Sequence, residues 1–322
     1  MKKFLNIMAP IFIMLAVSLI CICVYMFFSN KIKQKNQVTT TVYEDSYINE
    51  EKSVVLAKDE LPKFDSTISL QPLVVEIMKD FTTDDSLNAE KLGLTDTDSG
   101  YRKLISGDVD FLFATEPSEA ILRLASEANV EFEMVPIARE GFVFVVSNQN
   151  PINSIKISDI QKIYNGQIKN WSQIGGEDVE IKAFQKTETS ATQTEMKNTV
   201  MKTLTMIEPL MSSFKTKEYG IVNDLIATFD NSKGALGYCF YHDAMLWYNT
   251  DSAIENSTKL LQIDGISPDY DNLKEGKYPF VSTYYLVRIK GKTTEQMEVF
   301  EDALFSERGK NIVKEAGYID IE

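Results

Sequence analysis

The stretch that decides the fold is residues 157–192, ISDIQKIYNGQIKNWSQIGGEDVEIKAFQKTETSAT. It begins with a helical pattern that stops at Asn165-Gly166, and it continues through a tight turn at Trp171–Gly176. A strand is predicted next, at Glu180–Phe184, and a helix follows at Thr189–Leu204. A strand that leads through a short polar loop into a helix is typical of α/β architecture.

The same alternation of apolar strand patterns and helical patterns runs from Asp59 to the C-terminus. The other predicted strands are Val109–Ala114, Phe132–Ile137, Phe142–Ser147, Ala235–Tyr241 and Val281–Ile289, and the other predicted helices are Pro117–Ala128, Lys156–Tyr164, Thr294–Phe305 and Lys310–Ala316. Strands separated by helices usually lie in parallel sheets, so we predict an α/β fold with largely parallel sheets.

Composition excludes several classes of function. The formal net charge is −14, and a field of that sign repels nucleic acid and anionic membrane surfaces. The chain has three cysteines, two of them (Cys21 and Cys23) inside the N-terminal apolar run, so it has no disulfide framework. A single histidine, His242, is too few for a His-rich metal site. We therefore predict a non-enzymatic protein without a cofactor or metal, which does not bind nucleic acid.

The first thirty residues predict a membrane attachment. Phe4–Phe28 carries no charge, and at about 1.5 Å per residue it is long enough to cross about 30 Å of hydrocarbon. No small-residue cleavage site follows this run, and isoleucines precede Cys21 and Cys23, which disfavours lipidation. We predict a transmembrane signal anchor at residues 1–30 and a polar linker at residues 31–58.

A turn that suits anions lies between the strand at Glu180–Phe184 and the following helix. Its sequence, residues 186–192, is KTETSAT. A helix start offers unpaired backbone N–H groups and the positive end of the helix dipole, to which Ser190 and Thr192 add hydroxyls and Lys186 adds a charge. The alternative is structural, because Thr189 or Ser190 can be an ordinary N-cap and Lys186 a solvated surface lysine.

The order of motifs along the chain resembles the phosphate-binding component of phosphate ABC transporters. The matching segments are Tyr164–Gly166, Ile168–Trp171, Gly175-Gly176, Lys186–Thr192, Asp65–Leu73, Val109–Phe111, Gly237-Tyr238, Ile263–Pro268 and Tyr278-Pro279. The resemblance implies a type II periplasmic-binding-protein-like fold of two α/β lobes joined by crossing strands, with a ligand cleft between the lobes. It implies lobe I at residues 59–148 and 241–322, and lobe II at residues 149–240.

The resemblance also implies the ligand contacts. Carried over position by position, they fall on Thr67, Ser69, Leu70, Thr97 and Glu116 in lobe I and on Lys186, Ser190, Ala191 and Thr192 in lobe II. Glu116 would accept a hydrogen bond from an anion that still carries a proton, because a carboxylate repels a fully ionised phosphate. The alternative for Glu116 is a solvated residue at a helix start beside Pro117.

This chain departs from the family pattern at the same turns. Lys186 replaces an arginine, which removes a planar fork that binds two anion oxygens at once. Thr189 and Ala191 replace two glycines, and Ser66 replaces another, so that side chains crowd a backbone that must approach the anion. Asp98 adds a negative charge. These departures leave open weaker phosphate binding or another anion.

Two functions follow from the resemblance. The first is a membrane-attached, extracytoplasmic and monomeric solute-binding protein that captures phosphate or a similar oxyanion for an ABC permease. The alternative is a membrane-anchored sensor or envelope interaction protein that has the same fold and takes no part in transport.

Overall fold

The structure is a computed structural model that describes residues 41–42, 56, 61–82, 95–208, 232–250 and 257–321. The predicted signal anchor at residues 1–30 lies outside these ranges, as does most of the predicted linker at residues 31–58. Across the described ranges, no helix is both long enough and apolar enough to cross a membrane.

The secondary structure alternates between strands and helices. The strands are β1 (Thr41–Val42), β2 (Phe64–Ser66), β3 (Phe111–Ala114), β4 (Phe132–Ser147), β5 (Ser154–Ile155), β6 (Lys182–Ala183), β7 (Ala235–Phe240), β8 (Thr258–Leu260), β9 (Gln262–Ile263) and β10 (Val281–Ile289). The helices are α1 (Gln71–Phe81), α2 (Thr97–Ser106), α3 (Glu119–Glu127), α4 (Ile157–Tyr164), α5 (Ala191–Glu195), α6 (Tyr241–Thr250), α7 (Tyr270–Lys274), α8 (Glu295–Phe305) and α9 (Glu307–Glu315). A π-helical stretch, Met196–Met201, continues α5. Shorter turns of 3-10 helix are Ile68–Leu70, Trp171–Ile174 and Ser232–Gly234.

The predicted α/β architecture is confirmed, but the prediction of largely parallel sheets is wrong. The main sheet has the strand order β2-β3-β10-β4-β7-β6, and β10 is antiparallel to both of its neighbours, β3 and β4. β4 is also antiparallel to β7, whereas β2 pairs with β3, and β6 with β7, in parallel. The antiparallel centre arises because the long strands β4 and β10 run in opposite directions.

The two strands predicted at residues 132–137 and 142–147 are a single strand, β4. The intervening residues stay extended because β10 pairs with them, with Thr283 opposite Arg139 and Val281 opposite Gly141. Gly141 is needed for packing, since a Cβ at this position would lie 2.7 Å from Leu273 Cδ2. The glycine therefore leaves room for the Leu273 side chain to pack against β4, and the strand continues through this position.

Buried side chains form two cores that β4 connects. The first core covers both faces of β3 and β10, because successive strand residues point to opposite faces. Phe111, Phe113, Tyr284, Leu286 and Phe300 lie on one face, and Tyr101, Leu112, Phe132, Tyr285 and Val287 lie on the other. The second core contains Phe142, Phe144, Tyr164, Trp171, Leu236, Tyr238, Leu261, Leu273 and Phe280. β4 contributes Phe132 to the first core and Phe142 to the second.

The second core extends further along the chain than the predicted lobe II. Leu261, Leu273 and Phe280 pack in it, although the resemblance returned the chain to lobe I at residue 241. The C-terminus reaches the junction of the two cores, where Tyr318 packs in the first and Ile319 in the second. The predicted division at residues 148 and 240 stays a prediction, and we place the return to the first core near residue 281 as a proposal.

Candidate functional site

Two turns of the first core lie side by side. Thr67 follows β2, and its N–H donates to Phe113 O at 2.9 Å. Thr67 also forms an isolated β-bridge with Thr95, which lies two residues before Thr97, the first residue of α2. The hydroxyl oxygens of Thr67 and Ser69 are 3.3 Å apart. The structure therefore brings the predicted residues Thr67, Ser69 and Thr97 into one neighbourhood.

Leu70 is placed differently from these three predicted residues. Its side chain is fully buried in the first core, and its N–H donates to Thr67 O at 3.0 Å. Leu70 thus directs its side chain into the core and its backbone donor into the turn. This geometry gives Leu70 a structural part in the site.

Asp65 fixes both turns, and the sequence prediction did not include it. It is 2 % exposed. One carboxylate oxygen accepts the Ser66 N–H at 2.8 Å, and the other accepts Thr95 Oγ1 at 2.8 Å and Lys103 Nζ at 2.6 Å. Because Lys103 belongs to α2, a single side chain ties β2 to that helix.

Glu116 lies directly after β3 and is exposed. Burial raises the pKa values of Tyr101 and Tyr285, and the Glu116 carboxylate adds to both increases. The carboxylate therefore lies near these two tyrosines of the first core. Its neighbour Thr115 is 2 % exposed, and within the described residues the Thr115 Oγ1 has no hydrogen-bond partner. A buried hydroxyl without a partner is uncommon in folded proteins.

The turn of the second core starts α5 as predicted. Ser190 is the N-cap, because its Oγ accepts the Gln193 N–H at 3.2 Å. Ala191 and Thr192 are the first two residues of the helix, and Thr192 Oγ1 lies 3.2 Å from Ser190 Oγ. Capping is thus one role of Ser190. A hydroxyl that accepts an N–H still has its own hydrogen to donate, so capping leaves the anion role open.

Gln193 and Tyr238 brace this turn, and sequence reasoning missed both. Gln193 is 1 % exposed, and its Oε1 accepts the Lys186 N–H at 3.2 Å. The Tyr238 hydroxyl donates to the same Oε1 and accepts the Lys186 N–H at 3.2 Å. The side chain of Gln193 thereby joins the two ends of the turn. The Gly237-Tyr238 match was the available sequence signal for Tyr238, whereas nothing in the sequence marked Gln193.

Lys186 is half-buried at the edge of the second core. Burial lowers the pKa of Lys186, and the nearby Asp243 carboxylate acts in the opposite direction. An anion at the start of α5 would act in the same direction as Asp243 and would further favour the charged form of Lys186.

The turns of the two cores are within electrostatic reach of each other. Burial raises the pKa of Asp98 in α2, and Glu188 in the second turn adds to the increase. Burial likewise raises the pKa of Glu195 at the end of α5, and Glu116 adds to it. Asp98 and Glu188, and likewise Glu116 and Glu195, are therefore close enough for their charges to interact.

A cluster around Glu140 holds the junction of the two cores. Glu140 is 2 % exposed and accepts the Tyr284 hydroxyl and the His242 backbone N–H, the latter at 3.1 Å. Its Oε2 lies 2.8 Å from His242 Nδ1, while His242 Nε2 lies 3.0 Å from Ala316 O. Both ring nitrogens face oxygen acceptors, an arrangement that favours the imidazolium form, in which both nitrogens carry hydrogens. The ring stacks on Tyr318 at 3.8 Å.

We expect this cluster to make the protein less stable as the pH rises from about 5.5 to about 8. The Glu140 hydrogen bond raises the pKa of His242 against the effect of burial, and burial raises the pKa of Asp243 to about 7. Both groups bind more protons in the folded state across this window. Their stabilisation is present below the unfolded pKa of each group and is lost as the pH passes the folded pKa.

Urea unfolding at several pH values measures this dependence. The His242→Gln variant is the comparison, because glutamine does not titrate and should give a flatter profile. A wild-type stability that increases with pH across the window would contradict the assignment of an imidazolium.

Two surface cavities lie away from these turns. One, of about 240 Å³, is lined by residues of α1 and α9, including Glu76 and Ile312. The other, of about 290 Å³, is lined by Ser154, Lys156 and Asp264 among others. Neither is lined by a predicted ligand residue. Helix starts and hydroxyls can hold a small anion without a deep apolar cavity, so the turns remain the better candidate.

Metal chemistry has no candidate among the described residues, where no three His, Cys, Asp or Glu side chains are grouped to hold an ion. Cys239 is buried in β7, and burial raises the pKa of its thiol well above the usual value. A thiol in this state is a poor nucleophile.

Comparisons with known proteins match most of the chain. Residues 66–308 match the family model described as PBP superfamily domain. The phosphate-binding protein PstS of Staphylococcus haemolyticus is 22 % identical over 264 residues, which is 80 % of each chain. The PstS of Bacillus subtilis is 26 % identical over 261 residues, covering 79 % of this chain and 78 % of that protein.

Solved structures show the same fold. A putative phosphate ABC transporter substrate-binding protein from Clostridium perfringens, solved with bound phosphate, superposes with a TM-score of 0.57 at 19 % identity, covering 80 % of this chain and 98 % of that chain. An ABC-type phosphate transport receptor from Vibrio cholerae has a TM-score of 0.56 at 18 % identity, covering 80 % and 99 %. These comparisons confirm the resemblance drawn from the sequence.

Proposed function

Because the chain belongs to the PBP superfamily, we propose that it captures inorganic phosphate or a similar oxyanion outside the cell and delivers it to an ABC permease. The observation that carries the proposal is the turn at the start of α5. There the half-buried Lys186 and the hydroxyls of Ser190 and Thr192 meet a helix start. Backbone donors, hydroxyls and one cation are what a small oxyanion requires.

The ligand would lie between the two cores, which we take as the two lobes of the fold. Thr67, Ser69, Thr97 and Glu116 would contact it from the first core. β4 and β10 pass between the cores and would act as the hinge, so that closure excludes water around the anion. Capture of this kind breaks no covalent bond, and the protein acts as a binding protein and not as an enzyme.

The membrane anchor at residues 1–30 belongs to the same proposal. It would hold the binding domain beside the permease on the outer face of the membrane. A monomer suffices for this role, and nucleic acid has no part in it because the net charge of −14 opposes its binding.

A sensor or envelope interaction protein is the second candidate. It is favoured by the carboxylates of Asp98, Glu116 and Glu188 around the predicted ligand position, which oppose anion binding. A sensor would bind phosphate weakly and would not depend on a permease.

Calorimetric titration of the full chain in detergent with phosphate tests the proposal. We expect a dissociation constant of about 1 µM or below, which corresponds to about −8 kcal/mol. The double variant Lys186→Ala, Ser190→Ala should bind at least roughly 100-fold more weakly, since hydrogen bonds to charged groups contribute about 1.5 to 3 kcal/mol each.

Lys162→Ala is the matched control, because it removes the same charge from an exposed position on α4. Its affinity for phosphate should equal that of the wild type. Absence of both heat and a thermal shift at millimolar phosphate, in a chain that unfolds cooperatively, would reject phosphate capture and favour the second candidate.

A further inference from the structure

We propose that Asp98 makes phosphate capture dependent on a proton, which Asp98 holds while the anion is bound. The inference deepens the function proposed above and rests on it. It concerns a position where the chain departs from the phosphate-binding pattern, so it describes this chain in particular.

Asp98 lies in the first turn of α2, next to the predicted ligand residue Thr97. It is 5 % exposed, so its carboxyl group is not a solvated surface charge. The helix is capped by Asp96, whose side chain accepts the Ser99 N–H at 3.1 Å. Capping therefore does not require Asp98, and its buried carboxyl group needs another explanation.

The orientation of the Asp98 side chain is fixed by Ser118. Ser118 Oγ donates to Asp98 Oδ1 at 3.0 Å and accepts the Ile121 N–H at 3.3 Å as the N-cap of α3. The Ser118 oxygen accepts the Ile121 N–H through a lone pair, and its hydroxyl hydrogen is directed at Asp98. Asp98 Oδ1 is consequently an acceptor, and a proton on this carboxyl group would lie on Oδ2.

Burial and two acidic neighbours favour the protonated form of Asp98. Asp96 on its own segment and Glu188 on the facing turn both disfavour ionisation, whereas the Ser118 hydrogen bond and Arg102 favour it. Within the described residues Asp98 forms no ion pair with a lysine or arginine, and Glu188 is itself paired with Lys197. A buried carboxylate with acidic neighbours and no ion pair has a raised pKa, as Asp98 does, with burial as the main cause.

A phosphate between Thr97 and the start of α5 would add one or two further negative charges beside Asp98. An ionised Asp98 would repel it, whereas a protonated Asp98 would donate a hydrogen bond from Oδ2 to a phosphate oxygen. One proton thus turns a repulsion into a contact. Glu116 is exposed and can turn into solvent, while the buried Asp98 has no such freedom.

Titration of the full chain with phosphate at about pH 5.5 and about pH 8, in two buffers of different ionisation enthalpy, tests this inference. Wild type should bind more tightly at the lower pH and should take up protons on binding. Asp98→Asn keeps an acceptor for Ser118 and adds a permanent donor. We expect it to bind about tenfold more tightly at the higher pH and to take up about one proton fewer per phosphate.

The comparison between the two proteins cancels the titration of phosphate itself. Asp108→Asn is the control, because it removes one charge from an exposed site just after α2 and should leave proton uptake unchanged. Asp98→Ser is a second neutral variant, to be used if the asparagine variant does not fold. The thermal midpoint without phosphate reports folding.

Equal proton uptake by wild type and Asp98→Asn, or weaker phosphate binding by both neutral variants at both pH values, would overturn the inference and leave phosphate capture standing. Failure of phosphate to bind wild type and both neutral variants at either pH would overturn the proposed function and the inference together. Binding at the higher pH by the neutral variants alone would support both.

Discussion

Replacing Glu140 by glutamine is expected to lower the free energy of unfolding by about 3 to 5 kcal/mol, the usual cost of removing one partner of a buried ion pair. Glu140 accepts hydrogen bonds from Tyr284 and twice from His242. The variant leaves the His242 imidazolium buried opposite a neutral amide. The NH2 group of the glutamine would also face the donor hydrogens of Tyr284 and His242, which point at this side chain.

Urea unfolding near neutral pH measures this loss. Glu119→Gln is the matched control, because its side chain is 89 % exposed and its distance to Arg123 is 3.7 Å. It should change stability by less than about 0.5 kcal/mol. A loss for Glu140→Gln as small as that of the control would show that the junction does not depend on the pair.

The Glu140 variant also bears on function. β4 carries Glu140 between the two cores, and α6, which begins beside Glu140, also contains Asp243 near Lys186. A disturbed junction should therefore change the affinity for phosphate as well as the stability. Measurement of both quantities separates a purely local packing role from one that reaches the anion site.

Replacing Arg288 by methionine should lower the free energy of unfolding by a similar amount, about 3 to 5 kcal/mol. Arg288 on β10 contacts Glu133 on β4 at 2.5 Å and both carboxylate oxygens of Glu301 on α8 at 2.6 and 2.7 Å. The three side chains are between 8 and 12 % exposed. Removal of the Arg288 guanidinium takes away the cation between the two carboxylates, which then repel each other.

Chemical denaturation of Arg288→Met at about pH 4.5 and about pH 7.5 measures the loss. We expect a smaller loss at the lower pH, because burial raises the pKa of Glu301 to about 7 and protonation of this carboxyl group removes the repulsion. Arg123→Met, at a position 55 % exposed, is the control for the change of residue type. A loss independent of pH would indicate that the methionine disturbs packing rather than charge balance.

The sequence predicted those parts of the site that follow one another along the chain. Ser190, Ala191 and Thr192 lie at a helix start because a polar loop follows a strand, and that order is visible without coordinates. Local patterns suffice here because the geometry of a helix start is set by neighbouring residues. Thr97, by contrast, came only from the family resemblance, and the helix α2 that it begins was not predicted.

The residues that brace the site were not predictable, because their partners are distant in sequence. Gln193 meets Tyr238 across 45 residues, and Asp65 meets Lys103 across 38. In the sequence alone, polar residues of this kind look the same as residues on a solvated surface. Only the fold shows that they are partners. Asp98 was noticed as a charge, but its burial and its bond to Ser118 were visible only in the structure.

By itself the sequence determined the α/β class and placed a helix start after the strand at residues 180–184, where we propose that the anion binds, since periodicity and turn residues act over short distances. The tertiary structure decided the antiparallel centre of the sheet, the continuity of β4 through Gly141 and the assignment of Leu273 to the second core. These features depend on which strands pair and which side chains approach them. Such contacts form between segments far apart in the chain, where local patterns carry no information.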